Sequence, residues 1–264
     1  EVADWSKLKE TISGEVLAAQ NIPTNYQLAT DVQAAALAGS VQEFAIDLET
    51  TSPKHGRYFA VQEAEIVGYS VSWADGQAVY VGDKPQVISG LLESPLYSKV
   101  AHNAKFEYGV LKRYGITLTN FQDTKLAAWM LQYHSSHLKA LARQMLGRDP
   151  ITYYQVTKGS DMGDLDPADV VEYGAADSDN TRLIWPTLRR QLKEAGMWEL
   201  YQDVELPVIP VLHDMEYRGV LVDEQAASET LVAIGQAIAT AHGQVFQLGM
   251  PEEVSIGSTD QLAR

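Results

Sequence analysis

Alternation of apolar and polar positions is the first signal along this chain. In EFAIDLE, 43–49, Phe44, Ile46 and Leu48 fall on one side of an extended backbone and Asp47 and Glu49 on the other, because successive side chains of a strand point to opposite faces. Apolar-rich runs predict further strands over 26–30, 66–73, 77–81 and 99–101. Asp75-Gly76 between two of them is a hairpin signal. Helices are expected over 31–38, ended by Gly39, over 85–92, and over 104–114 with Gly115 just past its end. Two more are expected over 124–132 and 137–146, followed by a loop over 147–165. Asp166-Pro167 then makes a good helix start, with Asp capping and Pro at the first position. That helix should run to about Trp185, where Pro186 kinks or restarts it. From Trp198 onward the pattern is helical, with one helix ended by Gly219 and a second over about 223–247. Strands come early and helices dominate later, which predicts an α/β domain with a mixed β-sheet flanked by helices. The expected division is a lead-in over 1–25, an α/β domain over 26–197 and a helical part over 198–264.

Composition narrows the classes of function. The 264 residues give room for one large domain or a domain plus part of another. No apolar run approaches the roughly 20 residues of a membrane span, and EVADWSKLKE lacks the basic start and apolar core of a signal peptide. There are no cysteines, which excludes disulfides, zinc ribbons and cysteine nucleophiles and suits an intracellular protein. The net charge of −15 has the wrong sign for a protein that grips nucleic acid mainly by neutralising phosphates. It leaves room for an enzyme that touches a few nucleotides and recruits divalent cations to offset its own carboxylates.

Three short constellations carry candidate chemistry. Asp47 and Glu49 lie side by side on one strand face, where two carboxylates repel unless a cation sits between them. His102-Asn103-Ala104-Lys105-Phe106-Glu107 follows a short strand and opens a helix, with Asn103 as its cap and Glu107 one turn inside. Tyr173 and Asp177 are four apart in a helix and project from one face, separated by Gly174, Ala175 and Ala176. Those small residues let the helix approach a sheet closely. Taken singly, each constellation is also what a solvated strand face or an ordinary helix end would show. Taken together, carboxylates on three elements match the needs of a phosphodiester site built on two hard cations about 3.5–4 Å apart.

The three segments FAIDLETTS, HNAKFEYGVLKRYGI and YGAADSDNTRLIW resemble, in this order, the Exo I, Exo II and Exo III motifs of the DEDDy exonucleases. The resemblance is specifically to the exonuclease portion of family A DNA polymerases of the DNA polymerase I type. FQDTKLAAWML and HLKALARQML resemble that family as well, and the likeness covers about 26–264. VELPVIPVLHDMEYRGVLVD and SIGSTDQLAR are similar to the segments that lead from exonuclease into the polymerase thumb, so the chain reads as truncated before the palm.

The resemblance implies an RNase H-like fold and a metal-dependent 3′→5′ exonuclease that proofreads. Asp47, Glu49, Glu107 and Asp177 would be metal ligands for two Mg²⁺ ions, with Mn²⁺ or Zn²⁺ as substitutes. Tyr173 would orient the attacking water. Thr50, Asn103 and Phe106 match positions that contact the last nucleotides. The implied partners are the 3′ end of single-stranded DNA and a polymerase domain in cis. The implied protein is a monomer, not membrane-bound, in the cytoplasm of a bacterial or phage-infected cell.

Two departures stand out. The second motif normally ends in Asp, and here it is Glu107. The arginine that often precedes the helix expected over 137–146 is replaced by His134-Ser135-Ser136-His137, where a protonated His137 is a candidate substitute. An RNase D-like 3′→5′ ribonuclease shares the metal site but not the tail. A weakly active or inactive platform for the polymerase is the other reading, which Glu107 keeps open.

Overall fold

The strand that carries Asp47 and Glu49, β2 (Glu43–Thr50), lies inside a six-stranded sheet. The computed structural model describes residues 22–56, 60–249, 251 and 257. The other strands are β1 (Asn25–Leu28), β3 (Ile66–Ala74), β4 (Gln77–Val81), β5 (Ser98–Ala101) and β6 (Phe121–Asp123), in the spatial order β1-β4-β3-β2-β5-β6. β2 pairs antiparallel with β3 and parallel with β5, and β5 pairs parallel with β6. The sheet is therefore mixed, as the order of elements predicted. Gly76 turns the β3–β4 hairpin at φ +71°, and a Cβ there would stand 2.2 Å from the Pro23 carbonyl oxygen.

Helices cover both faces because every strand offers one. Phe44, Ile46 and Leu48 of β2 join one core cluster with Val71, Val79, Leu92 and Leu111. The helices behind it are α1 (Asp31–Gly39), α3 (Ser89–Glu93) and α4 (Ala104–Arg113); the four-residue α2 (Ala60–Glu63) precedes β3. On the opposite face, Ala45, Val100 and Ala101 meet α5 (Thr124–Met130), α6 (Leu138–Leu146) and α8 (Pro167–Glu194). α7 (Tyr153–Thr157) and a 3₁₀ turn at Met162–Asp164 interrupt the segment expected to be loop.

α8 is the long organiser of that face. It starts as the sequence predicted, with Asp166 accepting from the Ala168 N–H and Pro167 in the first turn. It does not stop near Trp185. Burial of Ile184, Trp185, Leu188 and Leu192 carries the helix through Pro186 to Glu194 despite the missing N–H. A buried network ties it to the hairpin: Asp179 accepts from the Gly76 N–H (2.9 Å), the Tyr26 hydroxyl (2.8 Å) and Arg148 (2.8 Å).

Other departures are local. The helix expected over 85–92 starts only at Ser89, because the Val87 and Ile88 N–H groups donate to the Asp31 carboxylate instead (2.5 and 3.3 Å). The three-residue β6 was not foreseen. The first compact unit runs to Tyr217. Beyond Trp198–Leu200 (α9), a π-helical turn at Tyr201–Glu205 leads into α10 (Leu206–Arg218), and Tyr201, Leu206 and Ile209 pack into the cluster around Trp185. The second unit, 218–264, holds α11 (Glu224–Gln247), capped by Asp223 through the Ala226 N–H (3.0 Å). The expected lead-in lies outside the described residues up to 21, and SIGSTDQLAR lies outside them except for Gly257. No helix among the described residues is long and apolar enough to cross a membrane.

Candidate active site

Asp47 and Glu49 share the face of β2 opposite its core residues, near the C-terminal end of the strand, as alternation requires. α8 crosses that face and brings Asp177 over the pair. One carboxylate oxygen from each of Asp47, Glu49 and Asp177 lies within 4.8 Å of the others. The close approach depends on Gly174, one turn before Asp177. A Cβ there would stand 2.8 Å from the buried Tyr80 ring and 3.7 Å from the Glu49 carboxylate. Tyr80 is itself seated against Gly68, the residue opposite Glu49 in the β2–β3 register. Tyr173 is buried and lies on the same helix face as Asp177.

The cluster is electrostatically unfavourable as it stands. Burial, and then the neighbouring Asp177 charge, push the Asp47 carboxyl up to about 8. Burial, with the Asp47 and Asp177 charges, holds Glu49 well above the usual carboxylate range. Burial raises Asp177 too, opposed by Lys139. Tyr173 is also raised, by burial and the Glu49 and Asp177 charges, so it remains a neutral phenol. Groups that crowd together at such cost are a signature of functional sites and of cation-binding sites.

Glu107 reaches the same region from α4. The parallel β2–β5 pairing sets the N-terminus of α4, which follows β5, beside the C-terminal end of β2. Glu107 is only 3% exposed, and its Oε2 has no hydrogen-bond partner. Burial and the Asp47 charge hold it well above its ordinary range. It falls outside the tight Asp47–Glu49–Asp177 group. An unpartnered buried carboxylate oxygen beside a three-carboxylate cluster fits a divalent cation.

The remaining predicted positions are less direct. Asn103 stands at the start of α4 in the left-handed region, φ 82°, and does not cap it with its side chain. Asp123 does so, accepting from the Asn103 and Ala104 N–H groups (3.1 and 2.9 Å) while also capping α5 through Lys125 and Leu126. The Asn103 side chain instead accepts from Lys125 Nζ (3.1 Å). Phe106 is half-buried against the β2 core cluster. Thr50 closes β2 at a register shift just after Glu49. His102 is half-buried against Thr124 (2.8 Å) and pushed down to about 3 by desolvation, so it is neutral. His137 is exposed at the start of α6.

Lys139, two residues into α6, was not singled out from sequence. Its ammonium pairs with the Asp177 carboxylate and sits 4.3 Å from the centre of the Tyr173 ring. A lysine in a first helical turn carries no distinguishing signal in a single sequence.

A mixed six-stranded sheet with carboxylates gathered at the end of an inner strand defines the class as the RNase H-like exonuclease fold. A family profile described as 3′-5′ exonuclease matches residues 20–193. DNA polymerase I of Rhizobium leguminosarum is 32% identical over 258 residues, covering 83% of this chain and 24% of that protein. The chain thus spans about a quarter of the curated relatives it matches, 24% in that case. Among solved structures, the POL domain of Pol1 from M. smegmatis with primer-template DNA and dNTP superposes with a TM-score of 0.62 at 22% identity, over 89% of this chain and 39% of that one. Brucella melitensis NrnC with bound Mg²⁺ superposes with a TM-score of 0.59 at 19% identity, over 73% of this chain and 91% of that one. The chain belongs to the 3′-5′ exonuclease family, and within it is matched to DNA polymerases I.

Proposed function

We propose that this chain hydrolyses the 3′-terminal phosphodiester of single-stranded or frayed DNA, releasing nucleoside 5′-monophosphates, and that it proofreads for a polymerase domain in cis. The observation that carries the reading is the Asp47–Glu49–Asp177 cluster, in which one carboxylate oxygen from each residue lies within 4.8 Å of the others. In this reading Asp47, Glu49, Asp177 and Glu107 would hold the divalent ions. Two such ions would stabilise the attacking and leaving oxygens of an in-line displacement. Mg²⁺ is the ion of first choice, since the donor set is all oxygen.

The chain's own groups then have distinct tasks. Tyr173, a neutral phenol held up by burial, orients the attacking water by hydrogen bonding rather than removing its proton. Asn103 and Phe106, at the start of α4, flank the end of the strand that enters, and Thr50 offers its backbone at the terminal sugar. A mispaired end unpairs at lower cost, which biases excision toward errors. Residues 26–197 carry this activity, and 198–264 lead toward the polymerase part. A net charge of −15 fits short contacts with a few nucleotides rather than a grip on a long stretch of backbone.

The test is a 5′-labelled oligonucleotide digested with Mg²⁺ and with excess EDTA. A ladder that shortens from the 3′ end only in Mg²⁺, with DNA preferred over matched RNA, supports the reading. Degradation in EDTA, shortening from the 5′ end, or preference for RNA overturns it.

A further inference from the structure

Lys139 is the cation that the described residues bring to this centre, and the motifs do not account for it. α6 begins at Leu138, so Lys139 sits in its first turn. From there the side chain reaches back to Asp177, pairs with its carboxylate and lies over the Tyr173 ring at 4.3 Å. That distance is well inside the roughly 6 Å range of a cation–π contact. The side chain is 23% exposed and Asp177 only 9%, so the ammonium stands at the solvent edge of the cluster. Its charge also acts on Asp47 and Glu49, where it opposes their upward shifts. A flexible four-carbon stem with three rotatable donors can change partners without moving the backbone. Just before α6, His134 and His137 are both exposed.

We propose that Lys139 is an exchangeable counter-ion of the active site, holding Asp177 until a divalent ion takes that carboxylate and then donating to a non-bridging oxygen of the scissile phosphate. The inference rests on the proposed exonuclease reading. It makes Lys139 a phosphate contact at the solvent edge of the cluster. It also makes Lys139 a competitor of the metal, so the same residue lowers metal affinity and raises the rate. A purely structural lysine would do neither.

The experiment uses the full chain with Lys139→Met, Lys139→Gln and Lys139→Arg, each checked for an unchanged melting profile. Mn²⁺ affinity is measured without substrate by the loss of the free-ion electron paramagnetic resonance signal, and single-turnover excision is measured at saturating Mn²⁺. The proposal expects Lys139→Met to bind Mn²⁺ about tenfold more tightly, equivalent to removing about 1.4 kcal/mol of competition for the Asp177 carboxylate. It expects excision to fall roughly 100-fold, the scale for losing one preorganised donor to a developing charge. Lys139→Arg should recover most of the rate. Lys139→Gln serves as the second neutral variant if the methionine perturbs folding. Unchanged or weaker Mn²⁺ binding in both neutral variants, or a parental rate at saturating Mn²⁺, overturns the proposal. Failure of the exonuclease reading itself looks different: the parent would then show no Mn²⁺ binding that Asp47→Asn abolishes.

Discussion

Alanine at position 174 tests whether the closeness of α8 to β2 sets the catalytic geometry. The added Cβ would stand 2.8 and 3.1 Å from two atoms of the Tyr80 ring. Ordinary carbon contacts lie at about 3.5–4.0 Å, so roughly 0.7–1 Å of movement is needed. Tyr80 has little room to give it. The ring is 1% exposed, and its hydroxyl end rests where a Cβ on Gly68 would meet it at 2.1 Å. The helix must therefore lift, and Asp177 lifts with it away from Asp47 and Glu49. Misplacement of about 1 Å at a catalytic centre costs on the order of 100-fold in rate. Stability should respond far less. Overpacking costs about 1–3 kcal/mol, and alanine in a helix regains about 1 kcal/mol over glycine. A net loss of about 0–2 kcal/mol lowers Tm by only a few degrees in a domain of this size. Single-turnover excision and a melting curve, run on the same preparation, separate the two effects. A parental rate together with a parental Tm in Gly174→Ala would refute the reasoning.

Three further outcomes follow from the same structure. Asp179→Ala should cost about 2–4 kcal/mol in urea denaturation, because it leaves the half-buried Arg148 guanidinium with Asn180 but without its charge partner and frees the Tyr26 hydroxyl and the Gly76 N–H; a loss below about 1 kcal/mol would show that the network is not structural. Glu107→Gln should cut excision by roughly 100-fold while melting no lower than the parent, since the Glu107 Oε2 has no partner to lose; a parental rate removes Glu107 from the centre. Burial holds Lys99 down to about 8, with its ammonium donating to the Ser94 and Tyr97 carbonyls (2.8 and 3.0 Å). The unfolded chain binds that proton more tightly than the folded one, so the penalty is full below about pH 8 and disappears as pH rises toward the unfolded value of about 10.4. Stability should therefore gain on the order of 3 kcal/mol between those limits relative to Lys99→Met, read as the difference in urea midpoints of the two proteins; equal pH slopes contradict it.

The sequence was most legible where local chemistry and tertiary packing agree. β2 announces itself by alternation, the hairpin by Asp75-Gly76, and α8 by Asp166-Pro167, and all three appear where expected. Legibility fails where a distant partner decides. Nothing near Pro85 reveals that Asp31 takes the N–H groups of Val87 and Ile88. Pro186 reads as a break until the burial of Trp185 and Leu188 is known. β6 is too short to carry a period. At the site, Asp47, Glu49 and Asp177 were named from their motifs, and the fold gathers them. Lys139 and the two-helix cap made by Asp123 were invisible, because a lysine in a first turn and an aspartate before a helix are ordinary in sequence and acquire meaning only from what α8 and α4 bring beside them.

The central claim is that these carboxylates exist to hold divalent ions against a DNA 3′ end. Its most direct test is a crystal of the protein soaked in Mn²⁺ with a short single-stranded DNA and measured for anomalous scattering. The account predicts one peak within ligand distance, about 2.0–2.6 Å, of Asp47, Glu49 and Asp177, a second between Asp47 and the Glu107 side, and the terminal phosphate beside both. Absence of any Mn²⁺ peak at Asp47, Glu49 and Asp177, with the DNA bound elsewhere, would contradict it.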